Sequence, residues 1–216
     1  MKIDLHIHSC YSYDSLSRPK DIIKTAIKNK IKILAVTDHN TIKGGLATYQ
    51  ENKKYNYDCF VIIGSEIHTN IGDIIGLFLN SEIKSTNIGE VIDEINDQGG
   101  IIILPHPFKH HDLTNLKFYL NKIEFVELLN SRSPINAEEM KIIHSYNKKE
   151  LGSSDAHFNF EIGKCYTSLD IPYTSSTDES IISMLRNNQL TARGTFSKPF
   201  IEKSSQIIKK IKLFYR

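Results

Sequence analysis

The sequence contains little cysteine, no long apolar run and no excess of charge of either sign. Its three cysteines, Cys10, Cys59 and Cys165, are too few and too widely spaced for a disulfide framework and indicate a reducing compartment. The longest apolar stretches, such as residues 74–79, fall far short of the ~20 residues that cross a bilayer. We therefore expect a cytoplasmic protein without a membrane segment.

The charge balance argues against one class of partner. With 27 Lys and Arg against 25 Asp and Glu, the formal net charge of +2 is too balanced for a surface that coats nucleic acid. No stable nucleic-acid complex is expected. The 216 residues are 40% hydrophobic, which excludes a disordered chain and supplies a globular core.

Short apolar runs alternate with helical patterns along the chain. The runs of strand length cover residues 2–8, 31–37, 59–64, 74–79, 101–104, 123–129, 151–154 and 165–169. Helical patterns start at residues 19 and 133 and cover about 45–54, 87–99, 180–188 and 201–216. Strands separated by helices are typical of parallel βαβ units and predict an α/β sheet or barrel. No linker interrupts the pattern, so we predict a single domain over residues 1–216, with the helix at about 201–216 docked through an apolar face.

Most of the predicted strands end in, or are followed by, a potential metal ligand. These residues are His6, His8, His39, Glu66, His106, Glu127, Asp155 and His157. In a parallel barrel or doubly wound sheet the strand ends open on one face, so we expect these side chains to converge there. Mixed nitrogen and oxygen donors suit Mn, Fe or Zn better than Ca or Mg, and their number implies more than one ion.

At these positions the sequence resembles the PHP (polymerase and histidinol phosphatase) superfamily. The matching motifs are residues 4–9 (DLHIHS), 37–40 (TDHN), 64–66 (GSE), 106–107 (HP) and 152–157 (GSSDAH). The resemblance implies a distorted (β/α)7 barrel of the TIM-like PHP type, a trinuclear metal site and phosphoesterase chemistry.

The resemblance also implies three overlapping ligand sets. The first set is His6, His8, Glu66 and Asp155, the second Glu66 and His106, and the third Asp14, His39 and His157. Asp73 stands where many members place a histidine of the second set. A carboxylate can still coordinate, so Asp73 is kept as an expected ligand.

The predicted reaction is hydrolysis of a phosphate ester with two to three divalent ions, namely Mn, Fe or Zn. A metal-activated hydroxide would attack phosphorus in line, without a protein nucleophile. The residues assigned to catalysis are Asp14, His39, Glu66 and His157. The residues expected to bind the substrate phosphate are Arg18, Lys43, Lys109 and Arg132. The substrate would be a small phosphomonoester or a nucleotide or oligonucleotide phosphate.

Other functions are compatible with part of the pattern. An amidohydrolase-type enzyme also uses a His-x-His strand, but no lysine stands at an obvious ligand position to bridge two metals as a carbamate. A non-catalytic PHP module would typically have lost ligands. An exonuclease-type PHP domain would need a basic groove with aromatic platforms, although Tyr11, Tyr13 and Phe108 could stack one base.

Some polar residues near the motifs have two interpretations. Glu127 and Asn130 are equally consistent with orienting a ligand or substrate and with a structural role. The histidines outside the strand-end pattern are expected at the surface or beside the ligands, and they are His68, His110, His111 and His144. The sequence gives no indication of the oligomeric state.

Overall fold

The computed structural model describes residues 1–173 and 177–214, and it alternates strands with helices as the apolar pattern predicts. The strands are β1 (Lys2–Ile7), β2 (Ile31–Val36), β3 (Phe60–His68), β4 (Asp73–Leu77), β5 (Ile101–Leu104), β6 (Phe125–Asn130), β7 (Lys149–Ser153), β8 (Cys165–Ser168) and β9 (Thr191–Gly194). The helices are α1 (Pro19–Lys28), α2 (Lys43–Tyr55), α3 (Ile88–Asp97), α4 (Leu113–Leu116), α5 (Ala137–Ser145), α6 (Asp178–Asn187) and α7 (Pro199–Phe214). Residues 215 and 216, the end of the predicted terminal helix, lie outside the described residues.

The strands form one nearly closed, barrel-shaped sheet in the order β7-β6-β5-β4-β3-β2-β1-β8-β9. The strands β1, β2 and β3 are mutually parallel, as are β5, β6 and β7, whereas β4 is antiparallel to both of its neighbours. Beyond the sheet pairing, the His8 amide donates to the Ala156 carbonyl at 2.8 Å. Oγ1 of Thr167 hydrogen-bonds both the amide and the carbonyl of Gly152 at 3.0 Å. The predicted distorted α/β barrel is confirmed, with β9 as an antiparallel addition that the sequence pattern did not predict.

The core fills the barrel and the layers around it. One buried cluster takes side chains from each of β1–β7, and α6 packs Ile181 and Leu185 against it. Two further clusters join the outer faces of the strands to α1 and to α3 and α5. Lys149, the first residue of β7, donates to the carbonyls of Leu185 and Asn188 at 3.2 and 3.0 Å. Helix α6 therefore covers the end of the barrel where β7 starts.

Helix α5 begins later than the signal at Ser133 predicts. The side chain of Asn136 accepts from the amides of Glu138 and Glu139 at 2.9 and 3.0 Å, and Glu139 accepts in return from the Asn136 amide at 2.8 Å. This reciprocal cap satisfies the free amides of the first turn and fixes the start of the helix. In the described part of the chain, every helix falls short of the length and apolar character that a bilayer crossing needs.

Candidate metal centre

The residues predicted as ligands meet at the end of the barrel where the parallel strands finish. His39 follows β2 and Glu66 lies near the end of β3, and a parallel backbone bridge joins them. His106 follows β5, and Asp155 and His157 follow β7. Because the carboxyl ends of parallel strands open on one face, residues that are far apart in sequence come together here.

A break in the alternation of β1 turns two histidines inward. Leu5 belongs to the cluster inside the barrel, whereas Ile7 belongs to an outer cluster with α1. Residues two positions apart share a face in a regular strand, so the alternation is interrupted between them. The pairing of β1 with β2 shifts register between Asp4 and Ile7. His6 and His8, on either side of Ile7, therefore face the centre, and both are fully buried.

Eight of the nine predicted ligand side chains form three overlapping groups, in each of which the candidate ligand atoms lie within 4.8 Å of one another. The groups are His6, His8 and Asp155; His6, Glu66 and His106; and His8, Asp14, His39 and His157. Oε2 of Glu66 also lies 3.5 Å from Nε2 of His6 and 3.3 Å from Nε2 of His8, so it links the groups. Such mixed imidazole and carboxylate sets suit divalent transition metals.

The ring nitrogens that point away from these groups are held by other contacts. Nδ1 of His6 lies 2.9 Å from Oε1 of Glu127, and Nδ1 of His8 lies 3.3 Å from Oγ of Ser12. Nδ1 of His157 lies 2.9 Å from a backbone carbonyl oxygen. Contacts of this kind fix the tautomer and the orientation of metal-binding imidazoles. They leave the Nε2 atoms of these rings free to face the centre as ligands.

The buried donor set fits a bound cation. Oδ1 of Asp14 and Nδ1 of His106 are buried and have no hydrogen-bond partner within residues 1–173 and 177–214. The Nε2 atoms of His6 and His8 face each other at 3.1 Å. Buried polar groups are normally satisfied, and burying charge without a partner is costly. A cation among the inward-facing atoms would accept the imidazole lone pairs and balance the buried carboxylates.

The electrostatics of the site depend on the charges around each imidazole. Burial opposes the charged form of His39, but Glu66 and Asp14 outweigh it and raise the pKa of His39 to about 10. Burial and the neighbouring imidazoles lower the pKa of His8 to about 3. Burial also opposes the charged form of Glu66, yet the imidazoles around it hold its pKa well below the usual range. A metal that binds His39 must therefore displace a proton near neutral pH.

Asp73, the ninth predicted ligand, lies at the mouth of the site and outside the three groups. Its Oδ1 is 2.6 Å from Nδ1 of the exposed His68, with which it pairs across β3 and β4. Because β4 runs antiparallel to β3, Asp73 at the start of β4 lies opposite the end of β3, two residues beyond Glu66. The ligand role of Asp73 stays a prediction that this geometry does not support.

A cavity of about 220 Å³ opens onto the groups. Of the cations predicted to bind substrate, Lys109 and Arg132 line it. Arg18, just before α1, and Lys43, the first residue of α2, are exposed and do not belong to its lining in the described part of the chain. The substrate roles of these four residues stay predictions, and of the four only Lys109 and Arg132 line the cavity in the described part of the chain.

Helix α7 supplies cavity residues that the sequence reasoning missed. They are Glu202, Ser205, Gln206 and Lys209. Spacings of three, four and seven residues place them on one face of the helix. The polar stripe formed by these four residues could have indicated a helix that faces the cavity. The sequence analysis instead considered only the apolar residues of the helix. Docking of the helix through an apolar face stays a prediction: of its apolar side chains Ile201 is buried, whereas Ile207 and Ile211 are exposed.

The ring of Tyr13 is already engaged by the protein. It stacks on His39, with centroids 4.6 Å apart and planes inclined by 8°. Nζ of Lys209 lies 4.5 Å from the centroid of the Tyr13 ring. Tyr13 is therefore not a free platform for a nucleobase.

Comparison with known proteins identifies a family and two relatives. The sequence matches the PHP domain family over residues 4–184. It is 46% identical to the uncharacterized protein MJ1587 of Methanocaldococcus jannaschii over 119 residues, which is 50% of this chain and 68% of that protein. It is 35% identical to the uncharacterized protein MJ0417 of the same organism over 178 residues, which is 77% of this chain and 69% of that protein.

Solved structures share the fold at low identity. A two-domain protein of Bacteroides vulgatus, said to contain a predicted PHP-like metal-dependent phosphoesterase, superposes with a TM-score of 0.75 and 17% identity. The match covers 96% of this chain and 69% of that one. Endonuclease Q, solved with a 27-mer duplex substrate that has an abasic lesion at the active site, gives a TM-score of 0.64 and 18% identity. That match covers 92% of this chain and 60% of the endonuclease chain.

Proposed function

The chain belongs to the PHP domain family, and from this premise we propose that it is a metal-dependent phosphoesterase that hydrolyses a small phosphomonoester or a nucleotide or oligonucleotide phosphate. One observation carries the proposal: eight imidazole and carboxylate side chains form three overlapping groups at one end of the barrel. A non-catalytic module would have no need to retain this set. We therefore favour an enzyme over a purely structural metal-binding domain.

The ligand groups would hold two to three divalent ions, namely Mn, Fe or Zn. We assign His6, His8, Glu66 and Asp155 to one ion, Glu66 and His106 to a second, and Asp14, His39 and His157 to a third. All of these residues belong to the three groups. Ions bound in such sites supply a hydroxide at neutral pH and neutralise charge on the phosphoryl oxygens. Glu66 contacts members of all three groups, so it is the natural shared ligand.

We assign the catalytic role to four members of the groups that also line the cavity, namely Asp14, His39, Glu66 and His157. Nε2 of His39 and Nε2 of His157 lie 3.2 and 3.1 Å from the same oxygen, Oδ2 of Asp14. Asp14 therefore orients both rings, and all three residues line the cavity together with Glu66. The side chain of His39 is 15% exposed, so a substrate that enters the cavity can reach it.

Two cations on the cavity wall are suited to bind the substrate phosphate. Nζ of Lys109 lies 2.7 Å from Oε1 of Glu202, and Nη1 of Arg132 lies 3.2 Å from Oε2 of Glu161. An ammonium has three donors and a guanidinium has five, so each cation keeps donors beyond these contacts. Arg132 is 7% exposed, and in such a desolvated place a charge-assisted hydrogen bond to phosphate is strong.

We propose that the protein works in the cytoplasm, without a stable nucleic-acid complex. Cys10, Cys59 and Cys165 are all free thiols, which fits a reducing compartment. The formal net charge of +2 gives no surplus of cations for tracking along a nucleic acid. We therefore propose that the site would recognise a nucleotide substrate through its phosphate and not through an extended nucleic-acid strand.

Chelation and metal replacement test this function. Purified protein is treated with a chelator, dialysed and assayed for phosphate release from histidinol phosphate, nucleoside phosphates and short RNA ends, with and without Mn²⁺. We expect activity to disappear on chelation and to return with Mn²⁺, and Asp14→Asn to abolish it. Asp93→Asn, an exposed carboxylate in a surface ion pair with Lys122, is the matched control. Full turnover by the metal-free protein would contradict the proposal.

A further inference from the structure

Helix α7 exposes most of its apolar side chains, whereas an ordinary amphipathic surface helix turns its apolar face toward the protein. Only Ile201 among the apolar residues of α7 is buried in the described part of the chain. Its exposed apolar side chains are Phe200, Ile207, Ile211, Leu213 and Phe214. The face toward the barrel instead presents Glu202, Ser205, Gln206 and Lys209 to the cavity. These polar residues bury little of the apolar area that normally docks a helix, so their presence on this face needs another explanation.

Specific polar contacts hold α7 in this orientation. Nζ of Lys212 donates to the carbonyls of Cys10, Ser12 and Ser15 at 2.8, 2.8 and 2.7 Å. These three residues belong to the loop between β1 and α1, close to the ligands His8 and Asp14 in the sequence. The helix is therefore fixed against the loop that contains Asp14, one of the predicted ligands.

A second contact fixes α7 to the opposite side of the cavity. Nη2 of Arg132 donates to Oγ of Ser205 at 2.5 Å, and the Ser205 side chain is buried. Glu202 accepts from Nζ of Lys109 at 2.7 Å. Helix α7 thus spans the cavity from the β1–α1 loop to the two cations that follow β5 and β6.

Lys209 differs from the other cations of the cavity in its partners. Lys109 has Glu202, and Arg132 has Glu161, as a carboxylate partner. Within the described residues, no carboxylate oxygen lies within 4.0 Å of the Lys209 ammonium, which is placed over the ring of Tyr13 instead. Tyr13 in turn stacks on His39 of the ligand groups. A cation held by an aromatic ring at the edge of an anion-binding cavity is available to a negatively charged ligand.

We propose that α7 is the specificity wall of the site, where Lys209 binds the substrate phosphate and the helix restricts the enzyme to phosphomonoesters. The inference rests on the proposed function. The cavity of about 220 Å³ is smaller than the ~300–1,000 Å³ typical of pockets for drug-sized ligands. A monoester leaves the cavity on one side of phosphorus only, whereas a diester needs a path on both sides. Under this proposal helix α7, which lines the cavity, would cover one of these paths.

This role of α7 predicts a preference for monoesters over diesters, which two synthetic substrates can measure. The Mn²⁺-loaded protein should have a kcat/KM at least 100-fold higher for p-nitrophenyl phosphate than for bis(p-nitrophenyl) phosphate. Replacing the anchor, Lys212→Ala, should loosen α7 and raise the ratio of diester to monoester hydrolysis about tenfold, with unchanged metal content. Lys203→Ala, exposed on the same helix, is the matched control and should leave the ratio unchanged. Equal hydrolysis of the two esters by the unmodified protein would contradict the proposal that α7 restricts the enzyme to phosphomonoesters.

The role of Lys209 has its own test, which does not need turnover. Calorimetric titration of the Mn²⁺-loaded protein with inorganic phosphate should show about tenfold weaker binding for Lys209→Ala, because a charge-assisted hydrogen bond is lost. KM for p-nitrophenyl phosphate should rise by a similar factor with little change in kcat. Lys210→Ala removes an equal charge from an exposed neighbour and should bind phosphate normally. Unchanged phosphate binding by Lys209→Ala would overturn the proposal.

The two proposals fail in different ways. A protein that binds phosphate through Lys209 but releases no phosphate from any ester, with any divalent ion, would contradict the phosphoesterase function and leave the anion site supported. A protein that hydrolyses esters normally after Lys209→Ala and Lys212→Ala would contradict the role of α7 and leave the phosphoesterase function supported.

Discussion

Glu127 provides the sharpest test of how the predicted metal centre is built, because it lies outside the three groups and contacts two of the predicted ligands, His6 and His106. Its Oε1 accepts from Nδ1 of His6 at 2.9 Å. Its Oε2 accepts from the His106 amide and from Nδ2 of Asn130, both at 2.9 Å. The side chain is fully buried, so no water replaces these contacts. In Glu127→Gln the shape is kept, but the charge that holds His6 is lost.

The size of the effect follows from these contacts. Loss of an outer partner of a metal-binding histidine typically costs 10- to 100-fold in metal affinity or activity, or about 1.4–2.7 kcal/mol. In Glu127→Ala, the amide of His106 and the amide group of Asn130 lose their buried acceptor as well. Each unsatisfied donor costs about 1–3 kcal/mol of folding stability, so the Ala variant should also unfold more easily.

Metal titration followed by calorimetry measures the predicted loss. We expect Glu127→Gln to bind Mn²⁺ 10- to 100-fold more weakly than the unmodified protein while its far-ultraviolet circular dichroism is retained. Glu138→Gln, in an exposed helical ion pair with Lys141, is the control and should bind Mn²⁺ normally. If Glu127→Gln binds Mn²⁺ with unchanged affinity, then orientation of His6 by this carboxylate is not part of the metal centre.

Three further perturbations test other parts of the structure. Asp73→Asn should leave the metal content unchanged, because the Asp73 carboxylate is bound to His68, and reduced metal content would restore its predicted ligand role. Since the pKa of His39 is raised to about 10, metal uptake at pH 7 should release protons and should weaken as the pH falls. Calorimetry in buffers of different ionisation enthalpy measures the released protons, and uptake without proton release would contradict His39 as a metal ligand. Arg132→Ala should lower the free energy of unfolding by about 3 kcal/mol in urea titrations, because it leaves the fully buried Glu161 without its cation. A loss below about 1 kcal/mol would show that this ion pair is not structurally important.

The convergence of the ligand residues could be predicted because it depends on local patterns and one topological rule. Apolar runs identify the strands, and each chemically distinctive residue lies at or just beyond a strand end. In a parallel barrel those ends share one face, so His8, Glu66, His106 and His157 meet although they are far apart in sequence. The period of two placed His6 and His8 on the side opposite Ile7, as observed.

The position of Asp73 depends on a strand direction that the motif comparison does not reveal. The link between β3 and β4 is residues 69–72, which is too short for a crossover connection, so β4 must run antiparallel. That reversal puts Asp73 opposite His68 rather than beside Glu66.

The role of α7 depends on long-range contacts that carry no local signal. Its apolar stripe favours docking through Ile207 and Ile211, and hydrophobic patterning alone gives no reason to turn these outward. The observed orientation depends on Lys212 reaching carbonyls some 200 residues earlier in the chain and on Ser205 reaching Arg132. Cavity-lining residues on such a helix are identified only once the fold is known.

Anomalous scattering from crystals of the Mn²⁺-loaded protein tests the central claim most directly. We predict two or three manganese peaks at the barrel end where the parallel strands finish, each bound by members of the groups that His6, His8, Asp14 and Glu66 help to form. A structure with no manganese at this end, or with its ions in separate pockets away from these side chains, would contradict the claim that they form one metal centre.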